Sequence, residues 1–137
     1  MKSKLILESS DVKAILVAAE NEALLHDWKV SIALVDEGGH LLGMLRLDGA
    51  SPMSAQMAVS KAVTSAFGRR DTKVFEDIIN NGRHSFLSAP GLSGMLEGGL
   101  AILLSGQCVG AIGVSGVKSN EDVQIAKAGL DAFLATV

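Results

Sequence analysis

Arg83 and His84 stand side by side at the start of a segment that runs to Gly99 and also holds Ser85, Ser88, Ser93 and Glu97. A guanidinium next to an imidazole can bind an anionic ligand, ligate a metal or move a proton. The plainer reading, a solvated loop histidine, stays open and is the one local sequence favours. The other two histidines have structural explanations. His26 falls at a helix C-terminus, where the dipole favours a cation, and His40 opens a strand after a turn. No two histidines stand at HxxxH or HxH spacing, so a preassembled zinc or iron cage is not expected. A single imidazole or thioether can still serve haem as an axial ligand, and without a CxxCH motif such a haem is non-covalent. Cys108 lies in an apolar run and reads as a small hydrophobe. Neither a GxSxG elbow, nor GxGxxG, nor a P-loop Lys-Ser/Thr occurs. The carboxylates Glu37, Asp48, Glu97 and Asp122 fall at predicted turns or caps, and spacing pairs none of them into an acid-base dyad.

The scaffold that must position these groups is bounded by composition. The 137 residues are the length of one domain, taken as 1–137. Apolar residues make up 48% and aromatics only 4%, so the core is built of small and branched side chains. A net charge of −3 gives no electrostatic footprint for nucleic acid or anionic membranes. One cysteine requires no oxidising compartment, the N-terminus is too short in apolar residues for a signal peptide, and no run reaches the ~18 apolar residues of a membrane span. A cytoplasmic location is the default expectation.

Periodicity predicts the elements. Val12, Ile15, Leu16, Ala19 and Ala23 recur at helical spacing from Ser10 to Leu25, with Ser9 or Ser10 as N-cap. Val30–Val35 and His40–Leu47 read as a β-hairpin around the turn Asp36-Glu37-Gly38-Gly39. Ser51 before Pro52 starts a second helix reaching Phe67 and stopped by Gly68. Its Met53, Met57, Lys61 and Thr64 fall on one side, and Ala55, Ala58, Val59, Ala62, Val63 and Ala66 form a small-residue face. Asp71 caps a shorter helix that Asn80-Asn81-Gly82 ends. After the long segment, Leu100–Leu104, a turn Ser105-Gly106-Gln107 and Cys108–Val114 make a second hairpin. Ser119 to Asp122 resembles a capping box that opens the last helix. The order α-β-β-α-α-β-β-α predicts an α+β fold, an antiparallel sheet of two hairpins flanked by helices.

Four segments carry a resemblance. They are VDEGGHLLGMLRLDGA (Val35–Ala50), Ser60-Lys61-Ala62 leading to Phe67-Gly68-Arg69, LEGGLAILLSGQCVGAIGVSG (Leu96–Gly116), and the ending from Glu121 to Leu130. Together they resemble the GlcG/HbpS-like family of haem-binding or "haem-degrading" domains, and the likeness spans nearly the whole chain. It departs from the family's GG.PI pattern at Ala101, and from the usual glutamine at Glu121. The resemblance implies a profilin-like layered arrangement, assembly into a homo-oligomer (dimer or larger), and a small-molecule ligand, with haem or a related tetrapyrrole first. Related domains occur fused to corrinoid adenosyltransferases.

Three functions follow as expectations. The first is non-covalent haem binding in a pocket formed by the Arg83–Gly99 loop and the start of the Ser51 helix. Arg83, His84, Glu97, Gly98 and Gly99 would then line the ligand, with His84 as axial ligand and Arg83 on a propionate. The second is an enzyme or accessory protein acting on small hydroxy or keto acids, in which Arg83 holds a carboxylate and His84 or Glu97 is the acid or base. The third is an oligomeric scaffold whose interfaces are the small-residue Ser51 helix and the glycine-dotted strand.

Overall fold

The structure is a computed structural model that describes residues Met1–Val137. Its elements are α1 (Ser9–Leu25), β1 (Ser31–Asp36), β2 (Leu41–Arg46), α2 (Pro52–Gly68), α3 (Thr72–Asn80), the 3-10 helix η1 (His84–Ser88), β3 (Gly99–Leu104), β4 (Gln107–Ser115) and α4 (Ser119–Leu134). The strands form one antiparallel sheet in the order β2-β1-β4-β3. The fold is therefore the α+β arrangement that the periodicity predicts, with η1 added inside the long loop.

Strand alternation splits the sheet into two faces. Ile32 and Leu34 of β1 and Ile112 and Val114 of β4 join Ile15, Ala19, Ile125 and Phe133 in the larger core, beneath α1 and α4. Ala33 and Val35 of β1 and Ala111 of β4 point the other way, against Ala58, Ala62 and Ala66 of α2. That second interface is thin by design of its residues. A Cβ on Gly113 would lie 2.1 Å from the Ala58 carbonyl oxygen and 2.6 Å from the Ala62 nitrogen. The alanines of the small-residue helix and the glycine-dotted strand thus pack on each other inside the chain.

Several local expectations are corrected. The N-cap of α1 is Glu8, because the Asp11 carboxylate three residues on accepts from the Glu8 N–H (2.8 Å) and sets the start one step early. Gly68 does not stop α2; it is the last helical residue, and Arg69 takes the left-handed conformation (φ 55°). Glycine is required at 68 because a Cβ there would fall 2.2 Å from the Phe75 ring. The second hairpin turns through two residues, Ser105 and Gly106, both at positive φ, with Leu104 opposite Gln107. In α4 the capping carboxylate is Glu121, accepting from the Lys118 N–H (3.2 Å). That shift leaves Asp122 free to turn inward. Of the α2 side that carries Met53, Met57, Lys61 and Thr64, Lys61 and Thr64 are buried and Met53 is exposed.

The β3 edge of the sheet is closed by α3. Gly99 and Ala101 point their N–H groups away from β4, and Thr72 Oγ1 and the Asp71 carboxylate accept them at 2.9 and 3.2 Å. Asp71 therefore starts α3 without capping it through its side chain.

The α2–β4 contact makes a direct prediction. Gly113→Ala should lower stability by about 3 kcal/mol, since backbone atoms on both sides must move to admit one methyl group. Urea denaturation measures it, and an unchanged midpoint would show that α2 can ride higher on the sheet at no cost.

Candidate functional site

The Arg83–Gly99 loop leaves α3 through Gly82 and immediately makes one short 3-10 turn, η1. Arg83 stands at its N-cap and His84 is its first residue; both are exposed. The Arg83 guanidinium lies 5.7 Å from the centre of the Phe86 ring, and Phe86 stacks on Phe75 of α3 at 5.6 Å. This stack fixes η1 on α3 and so fixes where Arg83 and His84 emerge. Neither side chain makes an ion pair. Leu87, on the same turn, joins Ile79, Met95 and Leu96 as apolar walls of a cavity of ≈ 310 Å³, with Glu76, Asn80 and Ser93 at its margin.

The far end of the loop is tied down. Glu97 donates its N–H to the Glu76 carboxylate (2.9 Å), and its own side chain bonds neither His84 nor Arg83. Gly94 donates to Thr64 Oγ1 of α2 (3.1 Å), and Gly98 accepts from the Val114 N–H (2.9 Å). The loop consequently rests on the middle and end of α2, where it also forms a second cavity of ≈ 470 Å³ with Phe67, Arg69, Pro90 and Leu92. The expected partnership with the start of the Ser51 helix is not made, because Gly94 is drawn to Thr64 more than three turns further along.

The residues that sequence reasoning missed lie directly beneath this loop. The Lys61 ammonium donates to the Asp122 carboxylate (3.2 Å) and to the Val114 carbonyl (3.0 Å), with the two side chains only 4% and 3% exposed. Asp122 also accepts from the Val117 N–H (3.2 Å). Three elements, α2, β4 and α4, are joined at this one point. Gly98 and Gly99 form its lid: a Cβ on Gly98, which sits at φ +133°, would lie 2.7 Å from the Lys61 nitrogen. The signal available in the sequence was a lysine beside the small-residue face of α2 together with an acidic residue one place beyond the true capping glutamate.

Burial pushes the Asp122 carboxyl up to about 6, against the pull of the Lys61 charge and the Val117 N–H, with Glu121 adding to the rise. Elsewhere the histidines are engaged locally. His26 stacks on Trp28 (4.3 Å) and meets Glu22 (3.1 Å); His40 meets Asp36 (3.2 Å). Burial raises the Asp36 carboxyl, but the N–H groups of His40 and Gly38 outweigh it and hold the pKa below the ordinary value. No cluster of three or more His, Cys, Asp or Glu is placed to hold a metal ion, and no helix is long and apolar enough to cross a membrane.

The Asp122 pKa fixes the sign of a pH effect. A carboxyl that binds its proton more tightly folded than unfolded loses stabilisation as pH rises from about 4 to about 6. Urea midpoints across that range should fall for the wild type and lose this slope in Asp122→Asn. Lys61→Met, which strands the carboxylate, should cost about 3–5 kcal/mol near neutral pH. A Lys61→Met midpoint equal to wild type would show that the pair is dispensable.

Comparison with known proteins covers nearly the whole chain. The family described as "Haem degrading protein HbpS-like" matches residues 7–131. Protein GlcG of Escherichia coli is 47% identical over 115 residues, which is 84% of this chain and 85% of that protein. Among solved structures, the Klebsiella pneumoniae protein ORFY superposes with a TM-score of 0.89 at 26% identity, covering 98% of this chain and 97% of that one. A structure described as a PduOC:heme complex superposes with a TM-score of 0.84 at 25% identity, covering 93% and 95%. The family match and the pairwise identity agree, and the chain belongs to the HbpS-like family.

Proposed function

We propose that this chain binds haem or a related tetrapyrrole non-covalently, at the surface formed by α3, η1 and the Arg83–Gly99 loop. The observation that carries the reading is an exposed His84 and Arg83, free of ion pairs, at the head of the turn whose Leu87 walls an apolar groove. Haem requires a donor to iron, a cation for a propionate and an apolar slot; His84 and Arg83 offer the first two on η1, and Leu87 of the same turn lines the neighbouring cavity. The solved PduOC:heme complex, similar in fold over 93% of this chain, supports the same class of ligand.

The parts divide the work by chemistry. His84 would hold the iron through its imidazole, and haem, when bound, would supply that iron. Arg83, held over Phe86, would pair its guanidinium with a propionate. Ile79, Leu87, Met95 and Leu96 would give the macrocycle its apolar contact, in a cavity of ≈ 310 Å³. Glu97, Gly98 and Gly99 hold the far end of the loop in register through Glu76 and the lid over Lys61.

Titrating haem into the purified protein while following the Soret band tests this. Wild type should give a saturable shift, His84→Ala should lose it, and Arg83→Ala should weaken binding about tenfold through the lost charge-assisted bond. A spectrum for His84→Ala identical to wild type would remove His84 as the axial ligand.

A further inference from the structure

The largest cavity of the molecule, ≈ 530 Å³, contains no residue of the Arg83–Gly99 loop. Its shape follows from how α1 ends. The Trp28 N–H donates to the Ala23 carbonyl (2.9 Å) and the Asp27 N–H to the Leu24 carbonyl (3.2 Å). These are the paired bonds of a Schellman turn, in which Asp27, at φ 55°, holds the left-handed position that glycine commonly fills. The turn folds Trp28 back beside α1, where its ring stacks on His26 at 4.3 Å. Leu24, Leu45 of β2 and Leu47 just beyond it complete the apolar wall.

Charges of both signs border this wall: Glu20, Asp27, Lys29, Arg46 and Asp48. Two of them satisfy each other. The Lys29 stem lies on Gly49, where a Cβ would come within 2.6 Å of it, and the Lys29 ammonium meets the Asp27 carboxylate at 3.3 Å. Glu20, Arg46 and Asp48 form no ion pair. Arg46 is nevertheless anchored, because its Nε donates to the Ala50 carbonyl (3.1 Å) and leaves the two Nη groups at the end of the fork without a protein acceptor. Glu20 is half-buried beside Leu24, and Asp48 is exposed at the rim. A simple anion entering here meets two carboxylates, and a simple cation meets the guanidinium. A ligand carrying one charge of each sign satisfies both.

We propose that this cavity binds a small zwitterion with an apolar body, the chemistry of a free apolar α-amino acid. The ligand carboxylate pairs end-on with the Nη groups of Arg46, its ammonium pairs with Glu20, the less exposed of the two free carboxylates, and its side chain lies against Leu24, Trp28 and Leu45. The volume falls within the roughly 300–1,000 Å³ of small-ligand sites. The Schellman turn, the stack on His26 and the bond from Arg46 to Ala50 hold the walls in place, so binding has little left to order. The site shares no residue with the proposed haem surface, and the two readings stand independently.

Trp28 is the single tryptophan of a chain without tyrosine, so its fluorescence reports this cavity alone. Three probes share one isobutyl body: L-leucine carries both charges, L-leucinamide only the cation and isocaproate only the anion. Added to the full chain, L-leucine should shift the emission saturably and bind about tenfold more tightly than either of the others, the loss of one charge-assisted bond. Arg46→Met should erase the preference for L-leucine over L-leucinamide, and Glu20→Gln its preference over isocaproate. Because Glu20 lies on the surface of α1 and bonds nothing else, the second variant keeps the test open if the first unfolds by circular dichroism. Calorimetry with the same probes decides the matter if the emission stays constant. Neither heat nor an emission change with any probe at millimolar concentration would overturn the proposal. Equal affinities for L-leucine and isocaproate, or preferences unchanged in folded variants, would overturn it as well.

Discussion

The contact on which this structure depends is the approach of one helix backbone to a sheet backbone. With no Cβ on Gly113 and only alanines facing it, α2 sits low enough for main-chain atoms of the two elements to touch. That depth brings Lys61 down to the sheet, within reach of the Val114 carbonyl and of α4's first turn. It also leaves the upper flank of α2 free to receive the loop through Thr64 and Gly94. Raise the helix by a methyl group and the ion pair, the glycine lid and the loop lose their common reference at once.

Lys61 and Asp122 explain why a core so poor in aromatic side chains still holds a single arrangement. Alanine-on-glycine packing is smooth and specifies register weakly, whereas a buried charge tolerates only the position that pairs it. The same pair fixes the start of α4, whose Asp122 is held by Val117, Lys61 and the ordering of the preceding turn. Specificity here comes from two side chains, and most of the apolar burial from the other face of the sheet.

How much of this was legible depended on range. Helices and hairpins rest on neighbours three or two residues apart, so Val12, Ile15 and Ala19, or the Ser51-Pro52 start, announced themselves. Cap identities slipped by one or two residues because adjacent acids compete for the same free N–H groups; Glu121 won at α4 and released Asp122. Lys61 was grouped with Met53, Met57 and Thr64 on one side of α2 and given no partner, because local periodicity names none and the partner lies 61 residues away. At the loop, composition located Arg83, His84 and Glu97 together, but their separation into an exposed head and a tied-down tail depends on Phe75, Glu76 and Thr64, which no spacing rule connects to them.

The closure of β3 by Asp71 and Thr72 has a consequence for solubility. Fibre growth by sheet extension requires two open edges on every molecule, since each added copy must offer a fresh template to the next. Along Gly99–Ala101 this sheet offers no such template, because the outward N–H groups there are spent on α3 and its cap. Two hydrogen bonds at the far side thus narrow the edge through which an aliphatic-rich fold could add strands.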